Sequence, residues 1–433
     1  MILQVKKGRV WIPKKKQTKY KGKFIEIFVK NNNKKSSFIA VIPKDGRFYI
    51  PIEIRNKLKV KDKIKIEKII LLKNKRRNDK LISKNRFNIL SIIPEKTLSD
   101  YEILVVDMGD KYLCWYCTQG RPKEILLNKH VPLSFAKLLG YYQAEGGKPK
   151  LRKRTGRNFS FTNKKFELIK DFFNISKCLF DVKEWNVTIR YEKNMDYKKI
   201  EELKDKLKFL GINPKKIFIR QAKRIKESTI VLWISNSVLT EVIDNFNKKF
   251  KEFIIKEKNE FLFKNYFQGE IAGDGNFFSY RDKTGSLHSR LNIYEEKLEY
   301  VLNHKRILDN FGLIGKIKKD KEKELYTLKL TNNWEMLLRL LEYDLFYNAP
   351  HHKKRLIWTI KEHNRFRALN YIINLPIKFN SKILNKTLGD RGTYIYSWLR
   401  KRRKEGLIKT LDKGLWSLTE EGIKIKNLLN KTI

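Results

Sequence analysis

The chain has 433 residues, 41% of them hydrophobic and including 26 Phe and 19 Tyr, which is enough apolar side chain for real cores and excludes an unfolded polar chain. Lysine and arginine total 97 against 47 acidic residues, and a formal charge of +50 points to a polyanionic partner, nucleic acid ahead of an acidic membrane surface. No apolar run of about 18 residues or more exists, and the start "MILQVKKGRVWIPKKK" has no apolar signal core, so no membrane span and a cytoplasmic location are expected.

The first predicted elements come as a near-copy. "GRVWIP" from Gly8 recurs as "GRFYIP" from Gly46. Each is a turn glycine, a basic residue, a short β-type run and a terminating proline. The second copy continues into a predicted helix from Ile52 to Leu58, a "KVKDK" turn and an alternating strand from Ile64 to Ile69. Over Lys44 to Lys68 this resembles the AbrB-like swapped-hairpin DNA-binding domain, with its G-R-x-x-I-P strand, E-I-R helix and K-x-x-D-K turn. The first copy matches only in part. Residues 1–72 are therefore expected to form a small β-rich DNA-binding domain, its tandem halves paired as a pseudo-dimer.

Residues 73–131 are expected to hold a basic linker, "KNKRRNDK", and then a small β-rich segment. Cys114 and Cys117 have zinc-like spacing, but no second pair accompanies them, and "YLCWYC" reads as a buried strand with packed thiols. No chemistry attaches to this segment.

"LLGYYQAEGG", from Leu138, and "YFQGEIAGDGNF", from Tyr266, share one build: an apolar helix that ends on a carboxylate followed by glycine. In the first, Phe135, Leu138, Leu139 and Tyr142 fall on one helical face. Gly140 and Gly269 occupy matching mid-helix positions, where glycine costs about 1 kcal/mol against alanine and signals close backbone packing between the two helices. Gly146 and Gly275 suit left-handed helix ends. Glu145 and Asp274 just precede them, and a carboxylate at a helix C-terminus opposes the dipole there. Hard divalent cations such as Mg²⁺ resolve that conflict and serve phosphodiester chemistry. A plain structural role for both acids, in a scaffold without activity, is the competing reading.

After each motif the same strand-then-helix order runs twice: "FSFTNKKFELIKDFF" and "TIVLWISNSVLTEVIDNF", then "RLNIYEEKLEYVLNHKRIL" and "LYTLKLTNNWEMLLRLL". The motif pair with its duplicated sequel resembles the LAGLIDADG homing endonucleases in their single-chain, two-motif form, over roughly residues 132–350. The resemblance implies an α+β fold: a duplicated α-β-β-α-β-β-α core with antiparallel sheets that straddle duplex DNA. It implies metal-binding acids at Glu145 and Asp274, and a monomer with pseudo-two-fold symmetry that needs no membrane and cuts double-stranded DNA with Mg²⁺ or another divalent ion. Lys164 is a candidate basic residue near the scissile phosphate. The family's earlier acidic position is Gln143 in one copy and Ala272 in the other, which puts helix-end stability in question. Glu270 stands where the family carries an apolar residue and is read as outward-facing. Arg152, Lys153, Arg154 and Arg157 after the first motif, and Arg281, Lys283 and Arg290 after the second, are expected on DNA-facing strands; a solvated strand face would look the same.

Residues 366–433 are expected to form three short helices and a two-stranded wing around the turn "DKG", which resembles a winged helix. Its third helix carries Arg400, Lys401, Arg402 and Arg403 for DNA. A chain that starts with Met and ends in "NKTI", without the His-Asn of an intein, is expected to be free-standing. Two other functions fit the same sequence: a DNA-binding regulator that has lost cleavage, and an RNA-splicing maturase.

Overall fold

A computed structural model describes residues 1–20, 23–31, 33–42, 46–72, 80–97, 102–118, 121–146, 158–192, 197–222, 227–320, 325–330, 333–389 and 393–432. The chain divides into two compact units, Met1–Phe253 and Ile254–Ile433.

The first unit opens with a six-stranded sheet in the order 34–41, 24–31, 63–71, 2–6, 9–11, 47–49. The last two strands carry the two near-copies and lie antiparallel, with Arg9 opposite Tyr49, Val10 opposite Phe48 and Trp11 opposite Arg47. Strand alternation sends Leu3, Val5, Val10, Phe48, Ile64 and Ile66 into one core. The helix Ile52–Leu58 and the strand Lys63–Leu71 lie where the sequence puts them.

Two three-stranded sheets follow. The meander Leu104–Met108, Lys111–Thr118, Arg121–Asn128 holds Cys114 buried in its middle strand, and Trp115 meets Phe24 of the first sheet edge-on at 5.3 Å. The Cys117 side chain lies outside the described residues.

Next comes the first motif helix, Ala136–Glu145, and a four-stranded sheet in the order 159–163, 229–234, 186–191, 217–221. Its interior is aromatic: Phe161 stacks on Phe172 with centroids 4.3 Å apart, and buried Trp185 donates its indole N–H to Ser176 Oγ at 3.1 Å. This sheet corrects the expectation of an all-antiparallel repeat. Strand Asn186–Tyr191 runs parallel to Ile217–Gln221, and the helix Tyr197–Phe209 lies between them in sequence, as a parallel crossover requires. That helix buries only Ile200 and Leu207, too few anchors for its periodicity to show in the sequence.

The first helix wholly within the second unit is the second motif helix, Glu260–Gly273, whose first turn is capped by Asn259 Oδ1 accepting from the Leu262 N–H at 3.0 Å. Strands Gly275–Arg281 and Leu287–Glu295, helix Leu298–Asn310, strands Gly315–Asp320 and Leu325–Leu330, and helix Trp334–Glu342 follow. The sheet is wholly antiparallel, ordered 275–281, 287–295, 325–330, 315–320. Phe263 stacks on Phe311 at 4.0 Å in the core behind it. The described strands and helices after the two motifs therefore differ in order, against the expectation of matching halves.

The helix Pro350–Glu362, unmarked in the sequence reading, packs on strand Gly275–Arg281, where Arg355 Nη1 donates to the Phe277 carbonyl at 2.8 Å. Beyond it, strand Lys378–Asn380 is followed by helices Ser381–Leu388 and Thr393–Lys404 and by strands Ile408–Asp412 and Leu415–Leu418; the three strands form one sheet ordered 378–380, 415–418, 408–412, and helix Glu420–Asn430 closes the unit.

Candidate nucleic-acid interface and its carboxylates

Each motif helix is buried along nearly its whole length and ends on a half-buried acid. Glu145 is the last residue of its helix; Asn163, at the end of strand Phe159–Asn163, donates from Nδ2 to Glu145 Oε1 at 3.3 Å. Asp274 is the cap residue of the second helix, its N–H donating to the Glu270 carbonyl at 3.0 Å.

Neither following glycine is left-handed. Gly146 has φ −72° and ψ 149°, and Gly275 already belongs to a strand, so both expectations are corrected. Glycine is required there for space. A Cβ on Gly146 would lie 2.1 Å from the Tyr142 carbonyl oxygen, and one on Gly275 2.6 Å from the Ile271 Cα. Each glycine packs over the residue four positions back; Gly275 opens the strand Gly275–Arg281 directly, whereas Gly146 makes an isolated bridge. Gly146 bridges Phe161, and Gly275 pairs with Ile293.

Gln143, where the family resemblance calls for an acid, is buried and accepts at Oε1 from Asn247 Nδ2 at 2.9 Å and Lys251 Nζ at 2.6 Å. The helix Ser237–Glu257 thus supplies amide and ammonium donors to a neutral amide, and Tyr142 donates its hydroxyl to Asp244 at 2.9 Å on the same helix. Glu270 is fully buried, against the outward-facing expectation. The second motif helix has no solvent face over Tyr266–Ala272 from which that position could be read as exposed.

In each sheet, residues directly opposite one another share a face. In the second unit Phe278 opposes Arg290, Tyr280 opposes His288, and Lys316 opposes Lys329, giving a shallow groove lined by aromatic and basic groups. Burial, and after it the Lys318 and Arg290 charges nearby, push the Lys329 ammonium below its usual range. The Arg290 guanidinium lies 5.8 Å from the Phe278 ring centre. In the first unit the corresponding open face carries Trp233, Thr188, Arg190, Phe218 and Arg220, and the Trp233 indole donates to Thr188 Oγ1 at 3.1 Å. Ring faces beside cations suit a polyanion with flat bases. Arg190, Arg220, Lys316 and Lys329 were missed in the sequence; alternation along each strand was the available signal.

The remaining expected site residues divide. Lys164 is exposed beside Asn163 and paired with Glu227 at 2.7 Å, which lowers the Glu227 pKa. Burial and the Lys164 charge lower the pKa of Lys165 next to it. Arg281 turns onto the protein, donating to Glu362 Oε2 at 2.8 Å and to the Gly285 carbonyl at 2.6 Å. Lys283 is exposed. Arg152, Lys153, Arg154 and Arg157 lie outside the described residues. Arg400, Lys401 and Arg403 are exposed, but Arg402 is 1% exposed and paired with Glu405 at 2.8 Å, so it is corrected from DNA contact to core. Gly140 and Gly269 are buried in their helices. Among the described residues no helix is long and apolar enough to cross a membrane.

No family model matches the sequence, and no curated protein matches it. Among solved structures the chain is similar to mesophilic variants of the homing endonuclease I-DmoI, with TM-score 0.28 and 20% identity over 49% of this chain and 88% of that one. It is similar to I-DmoI in complex with DNA and Mn, with TM-score 0.28 and 17% identity over 49% of this chain and 96% of that one. It is also similar to full-length DUF199/WhiA from Thermatoga maritima, with TM-score 0.30 and 16% identity over 63% of this chain and 90% of that one. These superpositions and identities are low, and the functional reading stands on the chain's own residues.

Proposed function

We propose that the protein is a single-chain, site-specific DNA endonuclease that hydrolyses phosphodiester bonds in both strands of a duplex with a divalent metal. One observation carries this reading: in each unit a buried helix ends on a half-buried carboxylate at the edge of a sheet whose open face bears cations and aromatic rings. The formal charge of +50 supplies the long-range attraction to the polyanion.

Glu145 and Asp274 would each hold a metal ion. Their oxygen donors at negative helix ends fit a hard dication such as Mg²⁺, which accepts one or two carboxylates and completes its shell with water and phosphate oxygens. When bound it would polarise the phosphate and lower the pKa of attacking water. The protein's own part is to fix the two carboxylates against the strand register and to seat phosphates on Arg290, Lys316, Lys329, Arg190 and Arg220. Residues 1–72 read as an AbrB-like DNA-binding domain, supported by the pairing of the two near-copies. Residues 366–433 read as a winged helix, supported by the exposed Arg400, Lys401 and Arg403 on the helix that precedes the hairpin Ile408–Leu418.

One contact favours a second reading, a regulator that binds without cutting: the Asn163 amide already donates to Glu145 Oε1. Incubation with a randomised duplex library, with Mg²⁺ and with chelator, separates the two. Cleavage at a defined site that disappears in Glu145→Gln with Asp274→Asn, with binding retained, supports the endonuclease. Selective binding with no cut in any metal supports the regulator, and selective RNA binding points to a maturase.

A further inference from the structure

Aromatic rings line the open sheet face of the second unit toward its first hairpin. Phe278 and Tyr280 stand two residues apart on strand Gly275–Arg281 and so share a face, and His288 lies directly opposite Tyr280 on strand Leu287–Glu295. The Tyr280 and His288 rings stack, with centroids 5.3 Å apart and planes 24° from parallel. His288 Nε2 is 2.6 Å from Asp282 Oδ2, so the carboxylate in the hairpin turn also holds the imidazole against the tyrosine. Tyr280 is still 57% exposed, and most of its side chain remains open to a partner. Arg290, opposite Phe278, and Lys316, opposite Lys329, set cations beside these rings.

Duplex DNA makes poor use of such rings. In its grooves the bases present only their edges, and their faces are taken up by stacking at about 3.4 Å per base along each strand. Phe278 and Tyr280 are about 6.6 Å apart along their strand, two steps of about 3.3 Å. Neighbouring bases can meet both rings only in a strand that is unpaired and drawn out to about double the duplex spacing. We propose that this face is a binding site for single-stranded nucleic acid, with bases stacked on Tyr280 and Phe278 and phosphates held by Arg290, Lys316 and Lys329.

The Asp282–His288 contact fixes the tyrosine ring before the strand arrives, which lowers the entropy lost on binding. A duplex on the same face would meet the cations through its phosphates and the rings only with base edges. The site needs neither metal nor cleavage, so it stands apart from the endonuclease reading. Its ligand chemistry is a free base on a phosphodiester strand, which RNA and unpaired DNA both offer.

The test uses the full chain in chelator, so that nothing is cut, and fluorescence anisotropy with a labelled oligouridylate, an oligothymidylate and a duplex of equal length. Tyr280→Ala should weaken single-strand binding about tenfold, within the range for loss of one stacked base, and duplex binding far less. Tyr280→Phe, which keeps the ring, should bind like the parent. Tyr280→Leu, which keeps bulk without a flat face, should lose as much as the alanine variant and covers the case in which that variant unfolds. Stacking releases no counterions, so the loss should keep its size as salt is raised. Binding of the oligouridylate alone would assign the site to RNA, and of the oligothymidylate alone to unpaired DNA. If Tyr280→Ala and Tyr280→Leu weaken single strands and duplex equally, or weaken neither, the assignment is overturned and the face is an electrostatic surface only.

Discussion

Val10 stands opposite Phe48 in an antiparallel ladder, and Phe48 is the residue that holds Val10's own place in the second copy of the motif. Arg9 opposite Tyr49 and Trp11 opposite Arg47 repeat the exchange on either side. Each copy is therefore the other's partner within one chain. Both residues are buried in the same core. Phe48→Ala should cost about 3–5 kcal/mol. Combined with Val10→Ala, it should depart from additivity by about 0.5 kcal/mol or more. Urea unfolding of the full chain and its three variants measures this, and strict additivity would mean that the two side chains do not share a packing site.

Gly146→Ala and Gly275→Ala should each destabilise by about 1–3 kcal/mol, as overpacking does. The reason is steric only, since neither glycine occupies the left-handed region. Thermal unfolding reads the effect. Variants as stable as the parent would show that the helix ends shift freely, and the tight-turn account would fail.

If each carboxylate serves one strand, Glu145→Gln alone and Asp274→Asn alone should each slow one strand selectively and let nicked duplex accumulate. End-labelled substrate resolves the strands. Equal loss on both strands with no nicked species would rule out the division of labour.

Arg402 and Arg403 are neighbours with opposite surroundings. Arg403→Ala should leave stability unchanged and, if the residue grips a phosphate, reduce the log–log salt slope of duplex binding by about 0.9. Arg402→Ala should lose buried packing and the Glu405 ion pair, costing about 1–3 kcal/mol. Salt titrations and melts on both variants decide it; the reverse pattern would return Arg402 to the DNA surface.

Asp282 closes the hairpin between strands Gly275–Arg281 and Leu287–Glu295. It accepts from the Thr284 hydroxyl at 2.6 Å, His288 Nε2 at 2.6 Å and the Ser286 N–H at 2.9 Å, and these bonds hold its carboxyl far below the usual range. A depressed folded pKa gives stability that is fully present above the unfolded value and fades only as pH falls toward the folded one. The turn should therefore stay closed through pH 4 and loosen only in stronger acid. Carboxyl ¹³C titration should show no Asp282 midpoint near 4; an ordinary midpoint there would contradict the bonding.

Much of this was legible in the sequence, for physical reasons that vary by element. The helix Ile52–Leu58 and strand Lys63–Leu71 were, because each carries a clear period and a turn between them. Glu270 was misread because its helix is buried on all sides, so periodicity carries no direction, and the residue that meets it, His304, arrives from a later helix. Arg402 need not have been misread. Ile395, Trp398, Leu399 and Arg402 fall at i, i+3, i+4 and i+7, and the first three are buried, so the arginine continues an apolar stripe. The crossover helix Tyr197–Phe209 was not legible, since its two buried anchors sit among lysines and glutamates.

The immediate passage from Asp274 into a paired strand leaves no slack. Gly275 is already in register with Ile293, so the acid and the sheet are geared to each other like teeth on one rack. One residue inserted between them would put the strand out of phase by half a pleat. Phe277 would swing to the open face and Phe278 into the core, and the aromatic and basic groove would be scrambled while the carboxylate itself stayed in place. Change in this part of the molecule is thus confined to substitution, while length variation is pushed to the far ends of the hairpins.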